Sequence, residues 1–63
     1  MSIFLGYTRE NDNAEVVIAD YKSTTEAEQA IQSLEIEGVL DYWLASALNP
    51  ETNEPIIFAY IDA

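Results

Sequence analysis

Residues 39–48 read VLDYWLASAL, and whether they form a helix or a strand decides the architecture. Leu40, Trp43, Leu44, Ala47 and Leu48 recur at a helical period, so apolar spacing alone permits either assignment. The residues that follow resolve the choice. Asn49-Pro50-Glu51-Thr52-Asn53 places proline at the second position of a type I turn, with an asparagine after it that tolerates left-handed backbone, a frequent hairpin connection. Pro55 to Ile61 (PIIFAYI) is dense in β-branched and aromatic residues and reads as a strand. It needs a partner close in sequence, and 39–48 supplies one, so we assign that stretch as a strand and the two together as a hairpin.

Upstream, Ser23-Thr24-Thr25-Glu26 carries the serine-to-glutamate spacing of a capping box, in which hydroxyl and carboxylate each accept from a free backbone N–H. Ala27, Ala30, Ile31 and Leu34 continue at the helical period, and Gly38 stands where a left-handed residue would end a helix, with Val39 placed to touch Leu34. The spacing predicts a helix over 24–37. Before it, Ile3 to Thr8 (IFLGYT) and Glu15 to Lys22 (EVVIADYK) flank the polar cluster Arg9-Glu10-Asn11-Asp12-Asn13, which predicts a second hairpin. The expected fold is α+β in ββαββ order, a four-stranded antiparallel sheet with one helix on one face. No linker or repeat divides residues 1–63, which read as a single domain.

A chain of 63 residues buries only about 60% of the surface its unfolded form exposes, so its core is small. Such domains usually add disulfides, a metal or a second subunit. Cysteine and histidine are both absent, which excludes disulfides and the usual zinc sites and leaves association as the remaining support. Twelve carboxylate residues stand against Arg9 and Lys22 alone, a formal net charge of −10. That field repels nucleic acid and anionic membrane and attracts basic surfaces, so the expected partner is a protein with a basic surface. No apolar run approaches a membrane span, and Met1 to Tyr7 lacks the basic region of a signal peptide; the expected location is cytoplasmic.

Both alternating residue sets of the strands are largely apolar. The first offers Ile3, Leu5 and Tyr7 on one side and Phe4 on the other; the last offers Ile56, Phe58 and Tyr60 against Ile57, Ala59 and Ile61. One helix covers one face of a sheet, and a second apolar face left open marks an interaction surface. Stacking of two copies as a homodimer is the simplest expectation. Strong twist and curling that lets the sheet bury much of both faces by itself is the competing one.

On a helix over 24–37, Glu26 and Glu37 project along one flank of the apolar stripe and Glu28 and Glu35 along the other, with Ile36 on the solvent strip between them. Glu35 and Glu37 would stand at the negative helix terminus without a compensating lysine, a local cost. These two rails suggest imitation of a phosphate backbone, as DNA-mimic inhibitors do, and make Glu26, Glu28, Glu35, Ile36 and Glu37 the expected protein-interaction residues.

For catalysis the chain has little to offer: no His or Cys, one Lys and one Arg leave few routes to acid–base or nucleophilic chemistry. Asp20 with Asp62, each near a strand end, is a carboxylate pair that could serve acid–base chemistry, although carboxylates at strand ends are usually solvated. Glu10, Asp12 and Glu15 put oxygen ligands on one loop, but without the spacing or glycine of a calcium loop. We expect no catalytic residues, cofactor or metal. Tyr42 and Trp43 are adjacent and so point to opposite faces, one toward the core and one available to anchor an interface.

Overall fold

The computed structural model describes residues 2–62. Strands β1 (Ile3–Arg9), β2 (Glu15–Tyr21), β3 (Val39–Leu48) and β4 (Pro55–Asp62) and the helix α1 (Thr24–Ser33) follow in the order ββαββ. The strands form one antiparallel sheet in the order β2-β1-β3-β4. Both expected hairpins are present, and residues 39–48 are a strand. The hairpins join along β1 and β3, so the first strand of each lies at the centre and the second at an edge.

The two loops close alike. Arg9 N–H donates to the Ala14 carbonyl (2.7 Å) and Asn13 N–H to the Arg9 carbonyl (2.8 Å); Asn49 N–H donates to Glu54 (2.7 Å) and Asn53 N–H to Asn49 (2.7 Å). Asn13 and Asn53 take the left-handed backbone, with φ of 57° and 61°, which asparagine tolerates better than most residues.

Helix α1 starts as the sequence predicts. Ser23 is the N-cap, and its Oγ accepts from Glu26 N–H at 3.3 Å. Glu26 reaches back to the N–H of Lys22 (3.2 Å), one residue before the serine that a capping box would use. The helix does not run to residue 37, however. Leu34 is already extended (φ −82°, ψ 137°), its N–H donating to Ile31, and Glu35, Ile36 and Glu37 lie beyond the helix. Burial explains the early stop. In the extended segment Leu34 and Ile36 are half-buried while Glu35 and Glu37 are exposed, an alternation with the period of a strand. A helix would have left Ile36 in water and both carboxylates at its negative end. Gly38 does adopt a left-handed backbone (φ 74°), but it turns the connector into β3 rather than ending a helix.

The core lies between helix and sheet. Leu5, Leu44 and Ala27 are buried together, with Ile3, Ile18, Tyr21, Ala30, Ile31, Leu34, Ala59 and Ile61 packed around them. Each fully buried leucine contributes about 2 kcal/mol relative to an exposed one. At ten residues the helix is about 15 Å long, enough for one face of the sheet only.

Candidate functional site

Strand pairing arranges the face opposite the helix in three tiers. Leu5 and Leu44 face the helix, so their neighbours in the strands point the other way. Glu15, Thr8, Asp41 and Asp62 stand side by side across the sheet, then Val17, Gly6, Trp43 and Tyr60, then Asp20, Phe4 and Ala45. One end of the open face is therefore acidic, and its middle is apolar.

The chain itself covers the centre of this face. Trp43 and Ala45 are fully buried although no helix lies over them. Trp43 spreads across Gly6: a Cβ at that glycine would meet indole Cζ2 and Cη2 and the Val16 carbonyl. A glycine inside a strand often marks such a close approach. Tyr42, on the helix side, is also buried, so neither of these adjacent aromatics is an exposed anchor. Twist and self-cover thus take up part of the second face, and the expected uncovered side is smaller than the strand sequences imply.

What remains uncovered is concentrated on β4, where exposure alternates residue by residue. Ile56, Phe58 and Tyr60 are 53%, 51% and 63% exposed. Asp62 continues the same row, and it faces Asp41 directly across the β3–β4 ladder. In antiparallel pairs, opposed side chains have Cβ atoms about 5 Å apart, and like charges there are destabilising. Asp41 Oδ1 is buried without a hydrogen-bond partner among the described residues, as is Trp43 Nε1 one tier away.

The rails expected from residues 26, 28, 35 and 37 do not form. Glu26 and Glu28 lie on α1, whereas Glu35, Ile36 and Glu37 belong to the extended connector. Glu26 is engaged at the helix start. Ile36 is half-buried rather than solvent-facing. Glu37 lines an open depression of about 490 Å³ with Arg9, Glu10, Asn11 and Gly38, where Glu10 N–H also donates to the Gly38 carbonyl (2.7 Å). Asp20 and Asp62 sit on opposite edges of the sheet, roughly 14 Å apart across its three strand spacings and further separated along the strands, since Asp20 is level with Phe4 and Asp62 with Thr8, and they make no pair.

The first loop is organised by charge. Arg9 donates through Nε (3.0 Å) and Nη2 (2.7 Å) to the two oxygens of Asp12, which also accepts from Ala14 N–H (3.1 Å). Hydrogen bonding from Arg9 is the main cause that holds the Asp12 carboxyl at about 2, from 3.8, and the Ala14 N–H adds to it. This is a turn satisfying itself. Among the described residues no three acidic side chains gather as a metal site would require.

Sequence reading missed the Asp41–Asp62 opposition, although counting back from the Asn49–Glu54 closure leads to it: Leu48–Pro55 and Asp41–Asp62 keep one register, and the irregularities on either side of Ala45 cancel. Gly6 inside a strand was the available signal for the buried indole. Compared with family models, with curated proteins and with solved structures, the chain matches none.

Proposed function

We propose that this chain is a non-catalytic, acidic protein-interaction domain that binds a basic protein, of the kind that handles nucleic acid, through the open side of its sheet. The observation that supports this reading is the exposed row Ile56-Phe58-Tyr60 running into the acidic tier. Exposed aromatic side chains beside charge are the usual material of an interface anchor, and a net charge of −10 steers basic partners toward it. A DNA-mimic inhibitor remains the form of this reading in which the partner's basic groove normally holds nucleic acid. With no long helix to space the carboxylates, the mimicry would rest on the acidic tier and the overall field.

Capture from a lysate of the source cells, comparing the wild type with Phe58→Ser/Tyr60→Ser, tests this. A partner rich in Lys and Arg should be retained by the wild type, lost by the double variant and released by about 0.5 M salt, where screening is short-ranged. Retention by both proteins alike, or partners without basic excess, would remove the proposal.

The same exposed row favours a second reading, a homo-oligomeric module whose acidity only keeps it soluble. Sedimentation separates the two. A monomer at micromolar concentration that does not associate as salt is raised contradicts self-assembly, since screening relieves the repulsion between two copies of charge −10.

A further inference from the structure

We propose that the free edge of β4 takes up an extended segment of the basic partner as a fifth strand, a segment with apolar residues at alternate positions and a Lys or Arg at each end; this rests on the reading above. β4 is bonded to β3 on one side only, so backbone N–H and carbonyl groups along its other side point away from the sheet. Such an edge is the template on which strands are added. Helix α1 packs over β1, β2 and β3, and no residue of β4 is buried. The opposite edge is less receptive, because charge within an edge strand discourages pairing. β2 opens with Glu15 and is interrupted by Asp20, whereas β4 carries no charge from Pro55 to Ile61.

Charge along the same strand selects the occupant. The exposed row reads Glu54, Ile56, Phe58, Tyr60, Asp62, three large apolar side chains between two carboxylates. A strand laid alongside sets its own alternate residues next to these, with opposed Cβ atoms about 5 Å apart. Apolar residues therefore suit its centre and cations its two ends. The row has the same pattern in either direction, so charge does not choose between antiparallel and parallel addition. It does choose against a second copy. In the two-fold antiparallel pairing centred on Phe58, Glu54 of each chain would oppose Asp62 of the other, and like charges so placed are destabilising. Each copy also carries −10. A basic segment meets attraction at the same two points.

The probe is the peptide acetyl-Lys-Thr-Val-Thr-Val-Thr-Val-Thr-Lys-amide, titrated into the intact protein and followed by amide NMR shifts and amide hydrogen exchange. Exchange should slow at the β4 amides that face away from β3. Replacing both lysines of the peptide by glutamate should weaken binding about tenfold or more. Glu54→Lys/Asp62→Lys, at exposed positions, should reverse that preference, whereas Glu10→Lys/Asp20→Lys, with the same change in net charge, should keep it. Two further peptides carry N-methyl groups, one on its valines and the other on its threonines. In a paired strand one of these sets points at β4 and the other at solvent, so one peptide should lose binding and the other retain it. If both N-methylated peptides bound like the parent while Phe58→Ser/Tyr60→Ser abolished binding, pairing at the edge would be overturned and an interaction domain that binds through its face would stand. Equal binding of the glutamate peptide would overturn the cationic ends. Outward β4 amides already protected in the free protein, and more so as its concentration rises, would show a second copy on the edge and overturn the proposal. No response to any peptide would overturn the fifth strand, and capture from the lysate then decides the function separately.

Discussion

The two hairpins share one loop design at an offset of forty residues and spend it differently. In each, the residue four positions into the loop is an asparagine with left-handed backbone, and the same pair of backbone hydrogen bonds closes the turn. The equivalence extends to side chains: Asp12 accepts from Ala14 N–H, and Thr52, at the corresponding place, accepts from Glu54 N–H at 3.3 Å. The first loop then adds the Arg9–Asp12 ion pair, while the second adds Pro50 and an Asn49 side chain that accepts from Glu51 N–H at 2.9 Å. A short acceptor and an asparagine suffice for the backbone, and charge is optional. The hairpins diverge in their edge strands. Both edge strands pack under the helix, β2 through Ile18 and Tyr21 and β4 through Ala59 and Ile61, but β4 turns three large apolar residues outward, Ile56, Phe58 and Tyr60, where β2 turns out Val17. The second hairpin thus carries most of the exposed apolar surface of the open face.

The comparison breaks most severely where one hairpin lies on the other. Gly6 belongs to the first and Trp43 to the second, and an added methyl at Gly6 would run into the indole and the Val16 backbone. Gly6→Ala should cost about 3 kcal/mol or more, the upper range for overpacking. Trp43→Ala, which empties the same place, should cost about 3–5 kcal/mol. In a domain this small either loss approaches the whole stability, so circular dichroism in urea should find both variants largely unfolded. A folded Gly6→Ala with wild-type stability would mean that the indole does not lie over that glycine.

Next in size are the paired asparagines. Asn13→Ala and Asn53→Ala should each cost about 1 kcal/mol, because alanine is strained at positive φ, and the glycine variants should be neutral or slightly stabilising. Chemical denaturation of the four variants tests whether the loops are equivalent. A large effect in one and none in the other would show that the shared hydrogen bonds conceal different constraints.

These turns were legible in the sequence because their determinants are local: asparagine at the left-handed site, proline at the turn's second position, serine before the helix. The fate of residues 34–37 was less so. Leu34, Glu35, Ile36 and Glu37 fit the end of a helix by period, yet the same four residues alternate apolar and charged as an extended segment does. Two signs favoured the extended form, namely Ile36 on the solvent strip and glutamates at the negative terminus. Both read equally as a functional surface, so the helical period carries the expected helix, and the expected contact residues with it, past the true end at Ser33. The Asp41–Asp62 opposition, by contrast, was within reach of the sequence, since it follows by counting outward from the Asn49–Glu54 closure and the irregularities on either side of Ala45 leave no net shift.

A smaller effect separates the loops by pH. Asp12 is held at about 2 by Arg9, first through hydrogen bonding, against 3.8 ordinarily. A carboxylate whose folded value is depressed adds stability above its unfolded value, and that stability is lost as pH falls from about 4 toward 2. Both groups are exposed, so the effect is modest. The wild type should lose its advantage over Asp12→Asn across that window, read from thermal midpoints at pH 5, 3 and 2. Thr52→Val, in the uncharged loop, should change the midpoint by the same amount at each pH. A constant difference between wild type and Asp12→Asn would remove the ion pair as the distinguishing feature.

The smallest expected change in stability is on the surface for which the second hairpin is proposed to exist. Phe58→Ser/Tyr60→Ser removes two rings that are half or more exposed, so little buried area is lost, and substitutions of this kind usually stay within about 0.5 kcal/mol each. Val17→Ser, on the first hairpin and 41% exposed, is the matched control. All three changes should leave the urea midpoint near wild type, while the β4 changes alone abolish retention of a basic partner. If the double variant instead unfolded readily, those rings would be holding β4 to the sheet, and the outward row would be structural rather than kept free for another protein.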